Sequence, residues 1–157
     1  MQGLERELLI TTAMVLLTVL IHLTGLSLLL EVTAIHLRRF KTWLHLDRLV
    51  VPAGMVLGIF VIHGVEIWAY ALIYHLAHVT TDIQDALYLS AGAYSTAGWV
   101  DIHLPEGWRV VVSLEAVNGM ILLGWSTAFL FQNLHRLMVT EQSHPLPEGA
   151  IARDPRD

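Results

Sequence analysis

The chain has 157 residues, of which 55% are hydrophobic and 15% charged, with a formal net charge of −5 and no cysteine. Soluble domains carry about 25% charged residues, so this balance points to a lipid environment, and the length fits one compact domain. The lack of cysteine excludes disulfides and thiolate metal sites, and the negative charge argues against nucleic acid as a partner.

The first apolar stretch runs from Leu8 to Leu30, interrupted by His22 and small polar residues. A spanning helix needs about 20 mainly apolar residues, whereas the apolar core of a signal peptide has about 7–15. Glu5 and Glu7 offset Arg6, and the stretch runs on into Glu31, Arg38 and Arg39 without a small-x-small cleavage site. Residues 1–36 are therefore expected to form a retained membrane helix. A basic loop, 37–48, follows, with Arg38, Arg39, Lys41 and Arg48 against a single acid, Asp47. Such an excess marks a cytoplasmic loop.

The second stretch, Leu49 to Ala77, contains His63 and Glu66; the third, Val110 to Leu134, contains Glu115 and Asn118. Between them lie Asp82, Asp85, Asp101 and Glu106, which assigns that connection to the outside. The amino terminus is then outside and the carboxyl terminus cytoplasmic, in a multi-pass protein of the inner (plasma) membrane. A polar tail, 138–157, with Pro145, Pro147, Gly149 and Pro155, reads as disordered. Trp43, Tyr74 and Trp108 fit interfacial anchors.

The outer connection is too patterned for a plain linker. Asp82 is placed to cap a helix starting near Ile83. The following IQDALYLSAGAYS suits a helix too short to span, and Ala91, Gly92 and Ala93 favour close packing. Thr96 to Ile102 then reads as extended chain before Pro105 and Gly107. A half-helix that dips into the membrane and returns is a re-entrant loop. Irregular backbone at that depth is tolerated only inside protein or beside a watery cavity.

These residues carry a resemblance. Asp85-Ala86-Leu87-Tyr88-Leu89-Ser90, then Ser95-Thr96-Ala97-Gly98-Trp99-Val100-Asp101, then Pro105 and Trp108-Arg109, resemble the pore domain of two-helix potassium channels. That family has an Asp-Ala-Leu-Tyr-like pore helix, a Thr-x-Gly-Tyr-Gly-Asp filter, a proline-containing turn and a Trp-Gly-Arg-like start to the inner helix. The inner stretch LEAVNGMILLGWSTAFLF is similar to small bacterial members, and Gly119 falls at the family's hinge position. With the outer helix, the resemblance covers roughly two thirds of the chain. It implies an all-α membrane protein with three transmembrane helices, a re-entrant pore helix and filter loop between the second and third, and a homotetramer in lipid. The pore domain is then 49–137, and helix one is additional. A monovalent cation, K⁺ or Na⁺, occupies the pore, and no cofactor is implied.

The filter departs from that pattern. In the family, backbone carbonyls replace the water shell of the ion. Thr96, Gly98 and Asp101 agree with the pattern, and Trp99 keeps an aromatic ring. Val100 replaces a glycine, the residue that readily takes positive φ. A left-handed conformation costs an L-residue roughly 1–2 kcal/mol, once in each of four subunits. The expectation is a relaxed outer filter that conducts cations with reduced potassium preference. The alternative is a non-conducting sensory or regulatory protein on the same scaffold. The dipole of the pore helix turns its negative end to the cavity. Asp101 ends the filter motif and contributes to a negative outer mouth, while Asp82 and Glu106 read as a cap and a solvated loop residue.

Met120, Leu123 and Thr127 share one helix face and are candidates to line the cavity. Phe129, Phe131 and Leu134 fit either a constriction or lipid contact. Intramembrane ionisable residues are functional suspects because they are costly in lipid. At about 1.5 Å per residue, His22 and His63 each lie roughly 21 Å from opposite ends of their helices, near mid-bilayer. His63 and Glu66 share a face at i, i+3. His22, His63 and Glu66 are therefore expected to form a polar cluster joining helices one and two. A plain interhelical hydrogen bond is favoured over a proton sensor, although histidine titrates near neutral pH. Glu115 is expected to hydrogen-bond the pore helix or a neighbouring subunit. No metal is expected: His63-x-x-Glu66 is half of a di-metal pattern without its second copy, and His75, His78 and His103 read as chance neighbours. No zinc-protease helix, phosphate loop, nucleophile elbow or paired-cysteine motif is present, so an enzyme is not expected.

Overall fold

The computed structural model describes residues 2–39, 44–98 and 103–142. Within them the chain forms α1 (Gln2–Arg39), α2 (Leu44–Leu76), a short α3 (Ile83–Tyr94) and α4 (Arg109–Gln142), the last entered through one 3₁₀ turn, Glu106–Trp108. Every element among the described residues is helical. The segments Gly3–Leu37, Leu49–Leu76 and Glu106–Arg136 are long and apolar enough to cross a bilayer.

The helices outrun the apolar stretches. Neither Glu31–Arg39 nor Leu44–Arg48 contains glycine or proline, so nothing stops the backbone ladder where hydrophobicity ends. Of the expected basic loop, only residues 40–43 separate α1 from α2, and they lie outside the described residues. Likewise α4 continues through Gln142, into the segment assigned to the tail; residues 143–157 lie outside the description.

Burial is inverted relative to a soluble bundle. Leu9, Leu16, Leu20, Leu49, Leu57, Phe60 and Phe131 are exposed, whereas His22, Glu66, Ser90 and Glu115 are fully buried. Lipid tails solvate leucine as well as a protein core does, so the interior is left for close packing and polar ties. The buried positions of α1, Thr11, Met14, Thr18, His22 and Leu26, recur at helical spacing along one face. Those of α4, Val111, Glu115, Asn118, Leu122 and Ser126, do the same. The face of α1 closes on α2 and α4, and that of α4 on α1 and α3.

Helix α3 packs against α2 and α4, and α1 packs against α2 and α4, but α1 and α3 are not neighbours. Asp82 caps α3 as expected, accepting from the Gln84 amide at 3.1 Å. Tyr74 and Trp108 correct an expectation: both are buried in the core, ring to ring at 5.8 Å and nearly perpendicular, rather than set at the lipid interface. The Tyr74 hydroxyl finds its partner inside, on Glu115.

Candidate functional site

Three polar layers cross the bundle. Nearest the α2–α3 connection, Tyr74 of α2 donates to Glu115 of α4. Ser90 Oγ, in the middle of α3, lies 2.6 Å from the other oxygen of Glu115 and 2.9 Å from the Ile67 carbonyl of α2. One layer further along, Asn118 of α4 donates to Thr18 of α1 at 2.8 Å and approaches the Tyr70 hydroxyl at 3.4 Å.

The third layer joins all four helices. Glu66 of α2 accepts from His22 Nδ1 of α1 at 2.9 Å and from His63 Nδ1 at 3.0 Å. The Tyr94 hydroxyl, at the last residue of α3, donates to the same carboxylate and lies 2.8 Å from His63 Nδ1. Ser126 of α4 lies 3.4 Å from His22 Nε2. The two imidazoles stand 5.4 Å apart, centroid to centroid. Glu66 thus links α1 to α3, which do not otherwise meet. His22, His63 and Glu66 come together, while Glu115 sits in a separate layer.

Tyr94 also fixes the exit from α3. A Cβ on Gly119 would stand 2.3 Å from the Tyr94 carbonyl oxygen and 2.9 Å from its ring. No side chain but hydrogen fits, so Gly119 serves close approach of α4 to the end of α3. That requirement explains the glycine without any bend at this position. Gly124, by contrast, has nothing within 4 Å of an added Cβ. Met120, Leu123 and Thr127 are exposed, as is Phe131, with Phe129 and Leu134 half-buried.

Beyond Tyr94 the backbone turns. Ser95 and Thr96 donate to the Ala91 and Ala93 carbonyls at 3.1 and 2.9 Å, and Gly98 to the Gly92 carbonyl at 3.2 Å. Thr96 takes φ +58° and Gly98 φ +67°. Glycine accommodates this without cost, but a β-branched residue there is an outlier held by its surroundings. Thr96 is thus a strained position of its own, and the strain expected at Val100 lies, with Trp99 and Asp101, outside the described residues. Thr96, Ala97 and Gly98 are exposed. The last turn of α3 carries no basic residue to offset the negative end of its dipole.

His75, His78 and His103 do not converge, and among the described residues the only group able to hold a metal ion is His22, His63 and Glu66. No family model matches this sequence, and neither a curated protein nor a solved structure matches it.

Sequence reasoning missed Tyr70, Tyr94, Ser90, Thr18 and Ser126. Thr18, Tyr70 and Ser126 had a signal in their register, since each falls on a helix face that carries a buried ionisable or amide group; α3 buries no such group besides Tyr94 itself, so Ser90 and Tyr94 had none.

Proposed function

We propose that the chain is one subunit of a tetrameric pore-loop cation channel, passing monovalent cations with reduced potassium selectivity. The observation that carries this reading is the anchoring of α3. At about 1.5 Å per residue its 12 residues reach roughly 18 Å, short of the roughly 30 Å hydrocarbon core. Its last residue bonds to Glu66, which lies roughly 15 Å along α2 from Leu76, near half the thickness of a bilayer. A helix that starts beside the outer end of α2 and finishes at that level supports a re-entrant pore helix.

The chemistry beyond α3 supports a cation path. The uncompensated dipole end favours positive charge. Backbone that departs from helix at this depth is stable only if it faces protein or water, so exposed Thr96, Ala97 and Gly98 call for a neighbouring subunit or an aqueous axis. The exposed α4 face bearing Met120, Leu123 and Thr127 is available for the same axis. The basic segment between α1 and α2 favours a cytoplasmic position for that end of the bundle.

Purified protein in liposomes under a K⁺ or Na⁺ gradient tests the reading. Flux of either ion, absent from protein-free vesicles, is expected. No flux at any voltage or pH leaves the non-conducting scaffold as the answer. If Val100 is what weakens selectivity, Val100→Gly raises the K⁺ to Na⁺ permeability ratio; an unchanged or lower ratio removes Val100 from the explanation.

A further inference from the structure

We propose that His22, His63 and Glu66 form a site for one divalent transition-metal ion of the Zn²⁺ class, with the Tyr94 hydroxyl at the fourth ligand position. The expectation of no metal rested on the missing second copy of His63-x-x-Glu66. The fold brings the expected His22 of α1 to that pair and adds a phenol from α3. One ligand atom from each of His22, His63 and Glu66 lies within 4.8 Å of the others. Ligands on a tetrahedral zinc, with bonds of about 2.0–2.2 Å, stand roughly 3.3–3.5 Å apart, so side-chain movements of about an ångström complete the site.

Two imidazoles and a carboxylate suit Zn²⁺ or Co²⁺, whereas Ca²⁺ and Mg²⁺ want oxygen shells. The Nδ1 atoms of His22 and His63 both face Glu66, so they are the ligand atoms, and in each neutral ring the proton sits on Nε2 when the metal–nitrogen bond forms. Charge fits as well. When the phenolic O–H of Tyr94 breaks, its proton leaving to solvent as the oxygen–metal bond forms, two negative oxygens balance the dication. The ion would clamp α1 and α2 to the end of α3. The proposal does not depend on ion conduction.

The test uses the full chain in lipid nanodiscs, stripped with chelator and dialysed against Zn²⁺ or Co²⁺. One ion per chain is expected, with the intense visible spectrum of four-coordinate Co²⁺ and a raised melting temperature in Zn²⁺. His22→Leu and His63→Leu each lower Zn²⁺ bound at a half-saturating concentration by at least tenfold, while His103→Leu leaves it unchanged. Glu66→Gln, nearly isosteric, gives the same loss and guards against variants that unfold; circular dichroism and particle size verify the fold. Wild-type protein that binds no ion, or Zn²⁺ stoichiometry and affinity that survive His22→Leu and Glu66→Gln, overturns the proposal.

Discussion

Gly119 and Gly124 lie on one helix and answer to different demands. A methyl group at Gly119 collides with the backbone oxygen of Tyr94, which cannot move without shifting the end of α3. Overpacking of this kind costs about 1–3 kcal/mol, more when the neighbour is backbone. Gly119→Ala is therefore expected to lower the melting temperature clearly in detergent or nanodiscs, while Gly124→Ala, with open space around it, leaves it unchanged. Equal effects at both positions would count against close packing as the reason for Gly119. Tyr94 invites the opposite comparison. Tyr94→Phe removes one interhelical hydrogen bond, and such bonds in membranes average about 0.6 kcal/mol. Stability should fall by less than about 2 kcal/mol. Flux should change by more than that loss implies, because the bond sets the backbone two residues before Thr96. A thermal melt and a flux assay on the same preparation separate the two effects.

At the scale of elements, α3 is held at three points: its cap, its middle and its last residue. Asp82→Ala removes the cap and should cost about 1 kcal/mol, read as a lower melting temperature with no change in selectivity. The start of α3 was legible because Asp82 is a capping residue followed directly by helix formers. The ends of α1 and α2 were not, since hydropathy marks where lipid stops and not where a backbone ladder stops. Depth arithmetic placed His22 and His63 at one level, and their rings meet there. Nothing in the spacing showed that Tyr94 would reach the same carboxylate, because the crossing of α3 over α2 depends on packing. Trp108 and Tyr74 were misread for a related reason. Aromatic residues near the ends of a span serve equally as lipid anchors or as buried caps on a bundle, and only the fold chooses. The turn after α3 was not legible: Thr96 to Ile102 read as extended chain, whereas Thr96 and Gly98 take positive φ and fold back onto the carbonyls of the last turn of α3.

For the whole molecule, polar groups inside and leucines outside describe a bundle that belongs in lipid, with Glu66 as the joint between α1 and the end of α3. The central claim is that the segment following α3 lines an ion path at an axis shared by four copies. The chain has no cysteine, so Ala97→Cys introduces a single thiol. In proteoliposomes that conduct, a membrane-impermeant cationic thiol reagent should abolish most of the flux through the variant and leave the wild type untouched. A thiol that resists the aqueous reagent yet reacts with a lipid-soluble one, with flux unaltered throughout, would place position 97 against the bilayer and contradict the account.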